Sequence, residues 1–507
     1  MFVYFYAAFC HFRMQYFLFL RWVLPVSNAK LNWLDLPMRT HAELSSIANQ
    51  IIHFSNKCTS QTHIHQIQAQ LILQNLHSNS NVAHHFITAC HSHSLDQLHS
   101  ALFLFTQLPK LHVFIYNTLI RAFSHAQTPY VPNYIYVLMH RNSVFPNKYT
   151  FPFLLKSLSD FKEFKQGQCV HTHVVKFGHL NDIYVQNALL NVYASCGRMR
   201  LCQQVFDEMP LRDVVSWTVL IMGFGRSRKY GDALIAFEQM KYAGIEPNHV
   251  TMVNALAACG NIGAIDMGVW IHDYVRSKGW ELDVILGTSL IDMYGKCGRV
   301  EESLNVFRSM TEKNTFTWNA LVKVLGLTKS GETAVWWFNR MVQEGFKVDD
   351  VTLVAVLNAC SHSGLIDKGR QILLSLFEGK YGLLPNVKHY ACMIDLLSRA
   401  GCLSDAFYYI REMPFEPTKS MWGSLLAGCR HHGNLELGEI AAKNLVQLEP
   451  QNGAYYVLLS NLYAEMGRWD DVTNVRELMK ERGLVKDKGC SSVELQVQSH
   501  DIELLAV

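Results

Sequence analysis

The chain has 507 residues and thirteen cysteines, yet no Cys-x-x-Cys pair occurs in it. Structural zinc sites draw on closely spaced thiolates, so a zinc ribbon or related framework is excluded. Charge is sparse as well: 17% of residues are charged and the formal net charge is +3. That balance neither demands nor excludes a nucleic-acid partner. The first 30 residues, "MFVYFYAAFCHFRMQYFLFLRWVLPVSNAK", hold no Asp or Glu but do hold Arg13, Arg21 and Lys30. An acid-poor, arginine-bearing start suits an organelle-targeting presequence, although serine is scarce and aromatics are heavy. Arg13 and Arg21 interrupt the apolar run and argue against a membrane span. A misplaced start is the third reading, since Met14 and Met38 offer later ones.

What the chain has in quantity is hydrophobic residues, at 49%. With so few charges, this suits stacked helices buried on two sides, and the length is too great for one ordinary core. The chain also repeats itself. "ALLNVYASCGRMRLCQQVF" (188–206) returns as "SLIDMYGKCGRVEESLNVF" (289–307), 101 residues later. "YNTLI" (116–120), "WTVLI" (217–221) and "WNALV" (318–322) keep that interval, as do "TFPFLLKSL" (150–158), "TMVNALAAC" (251–259) and "TLVAVLNAC" (352–360). "CMIDLLSRAG" at 392 arrives 103 residues after its counterpart, which places a two-residue insertion within "FEGKYGLLPN" (377–386). A fixed period of this kind marks a repeat array.

Each 101-residue triplet divides into units of 35, 35 and 31 residues, each carrying two helical patterns. Trp217, Leu220, Ile221 and Phe224 fall on one helical face; Ala233, Phe237 and Met240 fall on another. Gly244 then ends the second helix and Pro247 blocks its continuation, with glycine recurring at 178, 279 and 345 and asparagine (Asn75) in the corresponding earlier place. Such a hairpin cannot bury its apolar face alone, and stacking supplies the partner. Cys196 and Cys297, like Cys259 and Cys360, fill equivalent slots of different triplets, so small reduced packing residues are expected rather than disulfides. Thirteen of 24 histidines precede residue 126, in runs such as "HH" (84–85) and "HSHS" (91–94). They lack paired thiols or carboxylates, so solvated helix faces are expected and no metal site.

The wording "YNTLI…FPN", "VSWTVLI…GIEPN", "SLIDMYGKCG" and "HYACMIDLLSRAG" resembles the pentatricopeptide repeat family of land plants, in its mixed P-, L- and S-type subclass. The resemblance covers about residues 46–487, and the tetratricopeptide pattern W-x2-L-G-x2-Y is missing from the central units. It implies an all-α fold, a right-handed α-solenoid superhelix of helix–turn–helix repeats. The expected organisation is a targeting or unstructured segment at 1–45, the repeat array at 46–418, tetratricopeptide-like C-terminal extension motifs at 419–487 and a divergent tail at 488–507. Within the array the units run S 81–112, P 113–147, L 148–182, S 183–213, P 214–248, L 249–283, S 284–314, P 315–349, L 350–386 and S 387–418, with an L-like unit before 81.

The resemblance further implies one unit per nucleotide of single-stranded RNA, with the base chosen by the fifth and last residues of a unit. In the P and S units these pairs are Asn117/Asn147, Asn187/Asp213, Thr218/Asn248, Thr288/Asn314 and Asn319/Asp349. Asparagine presents a donor and an acceptor side by side, threonine leaves room for a purine, and an ionised aspartate suits the N3–H of uracil. The family code then reads 5′-Y-x-U-A-x-A-U-x-x. The unread places carry Pro152/Asp182, Val253/Asp283, Val354/Asn386 and Ala391/Thr418, whose fifth residues cannot hydrogen-bond a base edge. Second positions Phe114, Tyr184, Val215, Ile285 and Phe316 are expected to sandwich bases between neighbouring units. The plainer reading makes the polar residues a helix face and the aromatics core. Arg226 and Lys296 are candidate phosphate contacts, with solvated surface the plainer alternative.

Relatives that end in a zinc-dependent cytidine deaminase carry His-x-Glu followed by Pro-Cys-x-x-Cys. Here the only His-x-Glu is "HAE" at 41–43, at the wrong end, so no catalytic residue, metal or cofactor is expected. "GCSSVELQV" (489–497) resembles the start of a further extension, but Ser492 stands where the family has Trp. The implied function is site recognition for C-to-U editing of organellar RNA. The deaminase would be recruited in trans on another pentatricopeptide repeat protein, with small accessory editing factors and no membrane. The alternatives are RNA stabilisation, splicing or translation without editing, and a tetratricopeptide-like protein scaffold. Mitochondrion is the expected compartment, chloroplast the alternative.

Overall fold

The computed structural model describes residues 41–484 apart from 59, 75, 77–78, 107–110 and 328–330. The leader through residue 40, Asn75 and the tail from 485 lie outside the described residues. Those described form 26 α-helices and no strand, an all-α repeat fold in which hairpin follows hairpin. None of the helices is long and apolar enough to cross a membrane. The chain divides into two compact units, Met1–Ser157 and Leu158–Val507.

In the first unit the helices His41–Asn56, Ser80–His93 and Val113–His125 pack on one another in succession, each with its own second helix behind it. The first described helix, His41–Asn56, runs across the array boundary expected at 46. In the second unit the first helices are Ile183–Ser195, Val214–Arg226, His249–Ile262, Val284–Lys296, Thr315–Gly326, Asp350–Ser363, Val387–Arg399 and Lys419–His432. Each packs on the next. A first helix is covered by both neighbours and by its own second helix, which is why Val214–Arg226 buries Ser216, Trp217, Thr218, Val219, Leu220, Ile221, Gly223 and Phe224. The following helix, Tyr230–Tyr242, buries only one face: Ala233, Leu234, Ala236, Phe237 and Met240. Amphipathic second helices and first helices buried over most of their circumference follow from these two environments.

The repeated Cys-Gly dipeptide is the turn inside the hairpin. Gly197 and Gly298 sit at φ 67° and 76°, in the left-handed region where a Cβ is strained. The insertion at 377–386 is absorbed by two such residues, Gly379 and Gly382, where the other L-type turns use one. The last hairpin, Gly453–Glu465 and Trp469–Glu481, attaches chiefly to the second helix before it, Leu435–Leu448. Glu439 on that helix accepts from Tyr463 Oη at 3.0 Å and pairs with Arg468 at 2.7 Å.

Of the two pairs singled out by spacing, Cys259 and Cys360 are buried and Cys196 and Cys297 half-buried, and burial pushes the thiols of Cys90, Cys202, Cys259 and Cys392 up to about 12. Cys169 departs from the expectation and is exposed. The paired histidines depart too. His84 and His85 are half-buried rather than solvated, because His84 Nδ1 lies 3.4 Å from Thr118 Oγ1 and His85 Nδ1 lies 2.9 Å from Asn56 Oδ1. Both rings join one first helix to a neighbouring one.

Candidate nucleic-acid interface

From Asp182 onward the last residue of each unit is also the residue that starts the next unit's first helix, whereas Asn147 stands one turn ahead of the helix Phe151–Asp160. A helix leaves its first N–H groups without intrahelical partners, and a short polar side chain at the N-cap accepts from them. Asp213 Oδ1 accepts from the N–H groups of Val215 and Ser216 at 3.0 and 2.9 Å. Asn248, Asn314 and Asp349 accept in the same way from Thr251, Thr317 and Thr352 at 2.9, 3.1 and 2.8 Å. The third residue of the new helix returns the bond, its hydroxyl accepting from the N-cap N–H to complete a capping box at Asp213, Asn248, Asn314 and Asp349. Asp182 and Asp283 cap in the L-type series without such a box.

The fifth residue of the unit before reaches this cap. Asn117 Nδ2 donates to Asn147 Oδ1 at 3.0 Å, Asn187 Nδ2 to Asp213 Oδ1 at 3.2 Å, and Asn319 Nδ2 to Asp349 Oδ1 at 3.0 Å. Where the fifth residue is threonine the contact passes through the box hydroxyl. Thr218 Oγ1 lies 2.6 Å from Thr251 Oγ1, which donates to Asn248 Oδ1 at 2.9 Å. Thr288 Oγ1 lies 3.0 Å from Thr317 Oγ1, which donates to Asn314 Oδ1 at 3.2 Å. All five fifth/last pairs are thus brought together, three directly and two through a hydroxyl.

That hydroxyl is a third member the sequence reading passed over: Thr150, Ser216, Thr251, Thr317 and Thr352, each fully buried. Its signal was present, since Thr150, Thr251 and Thr352 recur at 101 residues, as do Ser216 and Thr317. It also holds the asparagine from the other side: Thr150 Oγ1 donates to Asn117 Oδ1 at 2.7 Å and Thr352 Oγ1 to Asn319 Oδ1 at 2.6 Å. Ser216 turns instead to the Asp213 carbonyl at 2.8 Å, and Asn187 Oδ1 is left buried without a partner.

Second positions are not core. Phe114, Tyr184, Val215, Ile285 and Phe316 are 42%, 73%, 46%, 66% and 69% exposed. The L-type units add Tyr149, Val250 and Val351, also exposed, which were not singled out beforehand. Pro152, Val253, Val354 and Ala391 stand half-buried at the fifth positions of their units and offer no polar side-chain atom. Of the candidate cations, Arg226 is exposed, whereas Lys296 is held by Asp292 at 2.7 Å. Burial and the two lysines Lys296 and Lys323 act in opposite directions on the Asp292 carboxyl, and the lysines prevail, holding it below the usual range.

An arrangement of buried amides and hydroxyls between exposed apolar side chains can hydrogen-bond the edge of a flat ring and stack on its faces. Among known families, the PPR repeat model matches residues 187–214, 288–315, 316–346 and 389–416, the PPR repeat family model 212–261, and the E motif model 432–494. The chain is 34% identical over 446 residues to the mitochondrial pentatricopeptide repeat-containing protein At2g22410 of Arabidopsis thaliana, spanning 82% of this chain and 65% of that one. It is 36% identical over 459 residues to the putative pentatricopeptide repeat-containing protein At3g28640 of the same plant, spanning 88% and 90%. A crystal structure of the pentatricopeptide repeat protein PPR10 with an 18-nt psaJ RNA element superimposes with a TM-score of 0.66 at 15% identity, over 87% of this chain and 65% of that one.

Proposed function

Because the chain belongs to the pentatricopeptide repeat family, we propose that it binds single-stranded organellar RNA and marks a site for C-to-U editing, with a deaminase recruited in trans. The observation that carries the RNA reading is the recurring cluster of fifth, last and box residues. A capping role alone accounts for asparagine or aspartate at the last position. It does not account for an amide or hydroxyl at the fifth position of every P and S unit from 113 to 349, since the L-type units place Pro152, Val253 and Val354 there and their last residues Asp182 and Asp283 cap the next helix all the same. Asn187 Oδ1 is buried and unpartnered in the free protein.

Read as a code, the pairs specify Y-x-U-A-x-A-U, with Thr218 and Thr288 setting the two A positions. The exposed second positions supply stacking surfaces on either side of each base. The matched E motif favours editing over stabilisation, splicing or translation, and the mitochondrial and chloroplastic names of relatives favour an organelle.

The test is a gel-shift titration of the full chain at fixed salt, since phosphate contacts make affinity salt-dependent. An RNA carrying Y-x-U-A-x-A-U is compared with one in which both A positions are G. Preference for A, moving toward pyrimidine in the Thr218→Asn, Thr288→Asn variant, is the expected result. Equal binding of both RNAs by both proteins would overturn the code. Loss of C-to-U conversion at one organellar site in plants lacking the protein tests the editing step, and unchanged editing with a shortened transcript would replace it by RNA protection.

A further inference from the structure

Between the second helices Val300–Ser309 and Gly331–Gln343, aromatic rings gather into a cavity of about 380 Å³. Phe307, Trp318 and Trp337 form its inner wall, with ring centroids 4.8 Å apart for Phe307 and Trp318 and 5.3 Å for Phe307 and Trp337. Trp336 is the outer wall and is 54% exposed. The Arg340 guanidinium lies over both Trp336 and Trp337, 5.6 and 5.3 Å from their centroids, and is held there by Glu344 at 2.8 Å. Arg308 and Lys313 complete the lining, and Arg308 is exposed with no ion pair or hydrogen bond among the described residues. Trp318 is 1% exposed, and its Nε1, like that of Trp217, is buried with no acceptor among the described residues.

The repeat supplies its own control. One triplet earlier, the equivalents of the packing pair Phe307 and Trp318 are Phe206 and Trp217, with ring centroids 4.6 Å apart. The residues around them differ. "ALIAFEQM" (233–240) has become "AVWWFNRM" (334–341), Asp207 has become Arg308, and Glu238 and Gln239 have become Asn339 and Arg340. Packing needs none of these changes, since the earlier hairpin buries Trp217 and Phe237 without them. Their joint effect is to raise an exposed indole beside a cavity and to turn its surroundings from acidic to basic.

We infer that this cavity is a docking site for an acidic segment of a partner protein. One apolar or aromatic side chain of that segment enters against Trp336, and carboxylates reach Arg308 and Lys313. Arg308, exposed and without an ion pair among the described residues, is the unengaged donor of the lining, and the Glu344 carboxylate is taken by Arg340. A ligand must therefore bring acceptors and negative charge. Tryptophan and arginine together on an exposed face are also the residue types that carry most energy at protein interfaces.

The experiment is fluorescence anisotropy with the full chain and a short labelled peptide of glutamates around one phenylalanine, against its lysine counterpart. A variant carrying Arg308→Asp, Trp336→Ile and Arg340→Gln restores what the chain itself uses one triplet earlier, and Arg308→Asp alone guards against a folding defect. The acidic peptide should bind, the lysine peptide should not, and the triple variant should weaken binding by roughly tenfold or more. RNA affinity should stay unchanged in that variant, and peptide affinity should stay unchanged in Thr218→Asn, Thr288→Asn, which separates this site from the RNA reading. Failure of the acidic peptide to bind, equal binding by the triple variant, or displacement of the peptide by single-stranded RNA would each overturn the inference.

Discussion

At Asn319 both ends of the amide are engaged, Nδ2 with Asp349 and Oδ1 with Thr352, whereas at Asn187 only Nδ2 has a partner. The cause is one residue away in each case: the Ser216 hydroxyl bonds the cap backbone where Thr352 bonds the asparagine. Asn319→Ala should therefore cost about 1–3 kcal/mol of stability in urea unfolding, and Asn187→Ala less than about 1 kcal/mol, because the former loses bonds at both ends of the amide and the latter at one, while removing an unpaired buried oxygen. Equal costs would mean that the hydroxyl is not holding the amide. A second residue-scale effect concerns acid. His171 and His272 donate or accept through Nδ1 at 2.8 and 2.9 Å from the Tyr193 and Tyr294 hydroxyls, and burial lowers both imidazoles from their ordinary 6.5. A histidine whose folded value is depressed favours the native state above pH 6.5, and that contribution is lost as pH falls through the lowered folded value. Thermal melts from pH 7 downward should show stability falling, and His171→Leu, His272→Leu should flatten that slope; an unaltered slope would assign it to other groups. Leucine is what the third triplet carries at the equivalent position, Leu373.

Helices approach most closely where glycine removes a side chain from the contact. A Cβ on Gly428 would stand 2.5 Å from the Ser398 carbonyl oxygen, a backbone atom that cannot swing aside. One on Gly295 would stand 2.0 Å from Val324 Cγ2. Gly428→Ala should destabilise by about 1–3 kcal/mol through forced separation of two first helices. Gly225→Ala, with open space at its Cβ, is the comparison that should be neutral or mildly stabilising in the same chemical denaturation. At this scale the sequence was largely readable: the period, the hairpins and the faces carrying Trp217 and Phe237 all follow from spacing, because stacking forces every unit to solve the same packing problem. What spacing does not carry is side-chain partnership across helices. The box hydroxyls looked like ordinary helix starts, the histidines looked like surface, and the second positions of the L-type units carried no polar clue. Only the three-dimensional contacts join Thr352 to Asn319 or place His85 against Asn56.

In a stacked array stability is a sum of units and the interfaces between neighbours, so damage stays local. Calorimetry of the full chain should resolve more than one transition, in keeping with the two compact units. Phe123→Ala, in the unit Met1–Ser157, should lower one transition, and Phe338→Ala, in Leu158–Val507, the other, each by about 3–5 kcal/mol for a fully buried ring. A single transition that moves in both variants would instead make the chain one cooperative body. The capping clusters have a consequence for anyone who would rearrange such a chain. Each is assembled from the fifth residue of one unit, the last residue of that same unit and a hydroxyl from the unit after it. A cut at the formal unit boundary, between Asp349 and Asp350 for example, severs a cluster and hands its third member to the wrong neighbour. The transplantable cassette is therefore offset from the repeat, with its seams in the second helices, and chimeras spliced there should inherit their reading intact.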